Sequence, residues 1–109
     1  MNLNTKIEGS VTVISIEGDV DGKTAPTAQE QITALIKDGC KLALNMKGVT
    51  YMSSAGLRML LSMRRSVPAS GQIVLVGLPE QVRDTMSITG FLDFFTAYET
   101  LPEALEALK

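Results

Sequence analysis

The chain has 109 residues, enough for one domain with a core of its own, and its 45% apolar and 20% charged content argues against both a disordered tail and a coiled coil. Ten Lys and Arg against twelve Asp and Glu leave a formal charge of -2, and no stretch gathers the cations needed to follow a phosphate backbone, so nucleic acid is not an expected partner. Histidine is absent, which removes the Ser-His-Asp and Cys-His couples, the HExxH zinc site and any imidazole general base.

The opening MNLNTKIEG lacks a basic stretch leading into a long apolar run, and no segment approaches the ~18 apolar residues of a membrane span. A cytoplasmic protein without membrane contact is expected. The single cysteine, Cys40, has no second thiol to pair with, in keeping with a reducing compartment, and reads as a small buried hydrophobe.

Taken in order, Asn4 to Glu8 and Val11 to Glu17 read as a hairpin about Gly9-Ser10. In its second strand Val11, Val13, Ile14 and Ile16 leave only Thr12 and Ser15 polar, the pattern of a strand covered on both faces. Gly18 to Gly22 then reads as a glycine and aspartate loop, after which Thr24 is placed to cap a helix with Pro26 in its first turn. Ala28, Ile32, Leu35 and Ile36 continue that helix at helical spacing, and Gly39 closes it as a left-handed cap.

Lys41 to Met46 returns to strand with Leu42, Leu44 and Met46 on one face, and Tyr51-Met52 leads into a second helix from Ser54 to Val67, stopped by Pro68 and Gly71. Ile73 to Val76 is a wholly apolar run suited to a central parallel strand. A third helix runs from Leu78-Pro79-Glu80 through Met86 to a stop at Gly90, Phe94 to Tyr98 reads as a last strand, and Thr100 with Glu103 forms the capping box of a final helix carrying Leu101, Ala104, Leu105 and Leu108. The expected fold is α/β: one domain over residues 1–109, a mixed and mostly parallel β-sheet with an antiparallel edge hairpin, and about four α-helices.

The corner YMSSAGLR, Tyr51 to Arg58, concentrates the chemistry. A nucleophile elbow is poorly supported, because Met52 stands where its first glycine belongs and no histidine is present to take the Ser54 proton. A phosphate-binding loop lacks its further glycines and its Lys-Ser or Lys-Thr. Two readings remain. Either Ser53 caps the helix, Ser54 is a small first-turn residue and Gly56 permits close backbone approach, or a hydroxyl here is phosphorylated by a kinase and read by a partner.

On a helix turning about 100° per residue, Ser54, Arg58, Ser62 and Arg65 share a polar wedge, and Arg58, one turn after Ser54, lies within reach of a phosphate there. Ala55, Met59, Leu60, Met63 and Val67 fill the apolar arc, where the two methionines read as core filler.

Met52-Ser53-Ser54-Ala55-Gly56-Leu57 resembles the corner of the STAS domain of bacterial anti-sigma factor antagonists: an apolar strand end, Asp, the phosphorylated Ser, Ser or Ala, then Gly-Leu. Ser53 stands where that pattern has Asp. Glu17 to Asp21, Leu42 to Met46 and Ser87 to Phe91 resemble, in family order, its glycine-aspartate loop, central strand and Ser-Gly-Leu segment.

The resemblance implies a non-enzymatic partner switch, without cofactor or metal and monomeric when free. Unphosphorylated, it binds an anti-sigma factor, typically a serine kinase of the histidine-kinase-like ATPase fold, and so releases a sigma factor. Phosphorylation turns it off, and a metal-dependent serine phosphatase resets it. Carried over by position, Ser54 is the phosphoacceptor, with Ser53 as second candidate. Asp21, Lys23 and Thr24 of the loop, with Ser53, Ser54, Gly56, Arg58 and Ser62 of the second helix, form the partner surface. Asp19 reads as turn structure, and Asp21 either as a partner contact or as a local hydrogen-bond acceptor. The alternative is an adaptor or scaffold subunit in a signalling or transport complex, with the same fold and no phosphorylation.

Overall fold

A computed structural model describes all residues, Met1–Lys109. Five strands, β1 (Asn2–Glu8), β2 (Val11–Val20), β3 (Lys41–Met52), β4 (Gln72–Val76) and β5 (Ala97–Tyr98), form one sheet in chain order. β1 pairs antiparallel with β2 through the Gly9-Ser10 turn, where Gly9 adopts φ +64°. All later pairings are parallel.

Helices α1 (Ala25–Thr33), α2 (Ser54–Ser66) and α3 (Glu80–Ile88) connect successive parallel strands, and α4 (Leu101–Leu108) ends the chain. Crossovers of one hand, in a sheet that always advances in the same direction, put every connecting helix on the same face. Accordingly, Ile32 of α1, Leu60 and Met63 of α2 and Met86 of α3 join Ile14, Ile16, Leu42, Leu44 and Leu75 of the sheet in the main core. On the opposite face α4 alone covers Val11, Val13, Ala43, Val74 and Val76 with Ala104 and Leu108.

Several boundaries differ from the sequence expectations. The segment read as a loop from Gly18 continues β2 to Val20, and β3 runs unbroken to Met52, because each extension supplies the hydrogen-bond partner of the other: Gly18 pairs with Val49, Asp19 with Tyr51 and Val20 with Met52. Register shifts between Ser15 and Glu17 and between Gly18 and Asp19 hide this pairing from a period-two pattern, and Gly18 takes φ +93° beside the second shift.

α1 stops at Thr33 rather than continuing to Gly39. Leu35 and Ile36 close it through tighter bonds to the Ile32 and Thr33 carbonyls, and their side chains still pack on the core. The last strand shrinks to Ala97–Tyr98, because Phe91–Phe94 winds into a short 3-10 turn that opens at Gly90, where φ is +81°. α3 ends two residues beyond Met86, at Ile88. Cys40, Met59 and Met63 are buried, as their sequence positions suggest.

Candidate functional site

The site grows from the end of β3. Ser53 leaves the strand with extended backbone, φ -81° and ψ 175°, and serves as N-cap of α2: its Oγ accepts the Gly56 N–H at 3.4 Å and its carbonyl accepts the Leu57 N–H at 3.1 Å. The Ser53 N–H reaches sideways to the Val20 carbonyl at 2.9 Å, tying the corner to the end of β2. Gly56 then packs onto the same residue. A Cβ built there lies 2.7 Å from Met52 Cγ, 3.0 Å from Val20 Cγ1 and 3.1 Å from the Val20 carbonyl oxygen, so only glycine fits without displacement.

Beyond Val20 the chain turns into α1 through a loop built on Asp21. Its Oδ1 accepts the Lys23 N–H at 2.9 Å and the Thr24 N–H at 3.1 Å, and its carbonyl accepts the Ala25 N–H at 2.8 Å. These donors, Thr24 before Lys23, hold the Asp21 carboxyl below its ordinary range by favouring the charged form. Thr24 is not the side-chain cap the sequence suggests. Its backbone is already helical, and its Oγ1 turns back to accept the Asp21 N–H at 2.9 Å and to approach the Asp19 carbonyl at 3.0 Å.

Asp19 itself lies in β2, where its Oδ1 accepts the Thr50 hydroxyl at 2.6 Å across the strand pair. No group of three His, Cys, Asp or Glu side chains converges anywhere in the chain.

Further along α2 the polar wedge divides. Ser54, Arg58 and Arg65 are exposed, whereas Ser62 is half-buried against α1 and accepts a hydrogen bond from Gln29 Nε2 at 3.1 Å. Arg58 borders a shallow groove between the two helices, with Gly22, Ala25, Pro26, Ala55 and Met59 along it. Met59, Leu60 and Met63 point into the core together with Leu57 and Gly56.

Apart from Gly56, the residues named from the sequence gather around this corner and the helix seam that leads from it. Asp21, Lys23 and Thr24 stand on one side and Ser53 and Ser54 on the other, joined by the Val20 to Ser53 bond, whereas Gly56, expected on the partner surface, is buried beneath them against Met52 and Val20 and supports the corner from inside. Arg58 and Ser62 extend this surface down the α1–α2 seam. Two contributors escape sequence reasoning. Val20 acts through a backbone oxygen, which has no residue-type signature, and Gln29 meets Ser62 across 33 positions of sequence.

The hydroxyl of Ser53 is engaged as a cap, and that of Ser54, at the first position of the helix, faces solvent with no hydrogen-bond partner within the chain. The two serines, adjacent in sequence, are thus unequal in their freedom to react.

A model of the STAS domain matches residues 2–104. The Anti-sigma-B factor antagonist of Bacillus subtilis is 30% identical over 96 residues, covering 85% of this chain and 88% of its own. BtrV of Bordetella bronchiseptica, a proposed anti-sigma factor antagonist, is 29% identical over 106 residues, covering 95% of this chain and 90% of its own. Among solved structures, an anti-sigma factor antagonist from Mycobacterium paratuberculosis superposes with a TM-score of 0.89 at 26% identity, over 98% of this chain and 92% of that one.

Proposed function

The chain belongs to the STAS domain family, and on that premise we propose that it is an anti-sigma factor antagonist whose binding is switched off by phosphorylation of Ser54. The observation that carries this reading is the exposed, unpartnered hydroxyl of Ser54 at the start of α2, next to a serine already used as a cap. Its position within the family motif supports the same choice. Fold alone does not select a function, so the reading rests on this residue.

In the unmodified state the partner, an anti-sigma factor and serine kinase of the histidine-kinase-like ATPase fold, docks on the Asp21–Thr24 loop and the first turns of α2. The same partner transfers the γ-phosphoryl group of ATP to Ser54 Oγ: the new O–P bond forms as the bond to ADP breaks, and the hydroxyl proton is lost to the kinase's base. The phosphate brings about -1.5 to -2 charges into the contact surface, and burying that charge against a partner without compensation is costly. The helix itself tolerates it, because negative charge at a helix N-terminus meets unpaired N–H groups and the positive end of the dipole. A serine phosphatase then hydrolyses the ester and restores binding. In this reading the protein acts in the cytoplasm, performs no chemistry of its own, needs no cofactor and is a monomer when free.

Ser53 in place of the family's aspartate leaves the acceptor without a carboxylate neighbour in sequence. The capping role of its hydroxyl supports Ser54 over Ser53 as the modified residue. The test is peptide mass spectrometry of the protein isolated from its own cells under contrasting growth conditions, with Ser54→Ala and Ser53→Ala strains in parallel. Phosphate on Ser54 that disappears in the Ser54→Ala strain is expected. Complete absence of phosphate under every condition, with partner binding intact, overturns the switch and leaves an adaptor.

A further inference from the structure

α2 carries three arginines and no acidic residue along SAGLRMLLSMRRS. Arg64 is anchored, its Nε donating to the Phe94 carbonyl at 3.1 Å. Arg58 is exposed and enters neither ion pair of the chain, which join Lys6 to Glu8 and Lys109 to Glu106. Its side chain stands at the shared rim of two depressions, one between α1 and α2 beside Gly22, Ala25 and Pro26, the other along α2 beside Leu61 and Arg65.

Arg58 is also one turn beyond Ser54. Helical side chains lean toward the N-terminus, so a residue four positions on covers the turn before it, and a negative group followed by a positive one at this spacing is the favourable order. Competition for the guanidinium is weak. α1, which packs against α2, offers Glu30 as its only charge. On the neighbouring loop, Lys23 repels, and Asp21 already uses Oδ1 for the Lys23 and Thr24 N–H groups.

Resting on the reading that Ser54 is phosphorylated, we infer that Arg58 is an internal clamp for the phosphate: the guanidinium leaves the rim of the α1–α2 groove and pairs with the group one turn back. One modification then changes two parts of the docking surface, adding charge at the start of α2 and withdrawing a cation from the groove beside Gly22 and Ala25. A partner that reads the groove senses the phosphate even where it does not touch it. Arg58 is a positioning residue in this device, and a planar fork suits it better than an ammonium because it meets two phosphate oxygens at once.

The experiment uses the full chain with phosphoserine incorporated at position 54 during synthesis, in the parent and in Arg58→Gln, Arg58→Lys and Arg65→Gln backgrounds. The second ionisation of the phosphate is followed by phosphorus NMR. A guanidinium beside the ester favours the dianion, so the parent should ionise about half a pH unit below Arg58→Gln. Arg65→Gln should match the parent and Arg58→Lys should fall between. The Gly22 and Ala25 amide resonances should shift on phosphorylation in the parent and much less in Arg58→Gln. Identical ionisation in parent and Arg58→Gln overturns the clamp, and equal amide shifts in the two overturn its link to the groove. Because no kinase is used, failure to find a phosphorylating enzyme sinks the switch and leaves these results standing, so the two ideas fail separately.

Discussion

Replacing Gly56 by alanine tests whether the corner is held by packing against Val20. Alanine gains at most about 1 kcal/mol of helix propensity over glycine, and less than that in a first turn. Against this stand three approaches of the added Cβ: 2.7 Å to Met52 Cγ, 3.0 Å to Val20 Cγ1 and 3.1 Å to the Val20 oxygen. Met52 is half-buried, and its flexible side chain is able to move away. Val20 is fully buried, and its carbonyl accepts the Ser53 N–H, so its retreat strains or breaks that bond.

Overpacking of this kind costs roughly 1–3 kcal/mol, and the bond at stake contributes about 1 kcal/mol. The expected net effect is a destabilisation of about 1–2 kcal/mol, read as a lower urea midpoint and a fall in Tm of roughly 5–10 °C. The Asp21 and Ser53 amide resonances should move with it, because both residues flank the displaced contact. A Gly56→Ala protein as stable as the parent, with those resonances unmoved, refutes the packing argument.

Three further outcomes follow from the same geometry. Ser53→Ala should cost about 0.5–1 kcal/mol in urea unfolding, the low end for a lost N-cap because the Oγ to Gly56 N–H distance is a long 3.4 Å. Ser54→Asp should keep the parent's circular dichroism and a stability within about 0.5 kcal/mol, since the position is exposed and acidic groups are tolerated at a helix start, while affinity for the anti-sigma partner measured by calorimetry drops at least tenfold. Asp21 has a carboxyl lowered from its ordinary value of 3.8, so its contribution to the loop is complete above that pH and is lost as acid carries the pH down through the lower folded value. The Lys23 and Thr24 amide resonances should titrate below pH 3.8 in the parent, show no such transition in Asp21→Ala, and keep a neutral acceptor in Asp21→Asn.

What local residue patterns determined is considerable. The order of elements, the Gly9-Ser10 hairpin and the buried character of β4 follow from periodicity and turn chemistry. The same is true of the Thr100 cap, whose Oγ1 accepts the Glu103 N–H although the Glu103 carboxylate accepts the Thr100 hydroxyl and not the Thr100 N–H of a full capping box, and of a second helix read as Ser54 to Val67 and found as Ser54–Ser66. The corner was legible for the same reason. A serine cap, a close-packed glycine and an apolar arc are each encoded within about two turns of chain, where a residue's own side chain decides its conformation.

Tertiary structure decided what depends on a partner distant in sequence. β2 passes Gly18 to reach Val20, and β3 passes Met46 to reach Met52, because a strand's length is set by the backbone groups opposite it, and bulges there erase the alternation that would announce it. α1 stops at Thr33 although Leu35 and Ile36 keep helical spacing, since two apolar side chains pack equally well on a core from a tight turn. Asp21, not Thr24, organises the loop, because the direction of the backbone after Val20 chooses between two equally competent side chains. The unequal fates of Ser53 and Ser54 have the same origin: the Val20 carbonyl, reached only when β2 and β3 lie side by side, sets where the helix begins and so which hydroxyl is spent and which is free.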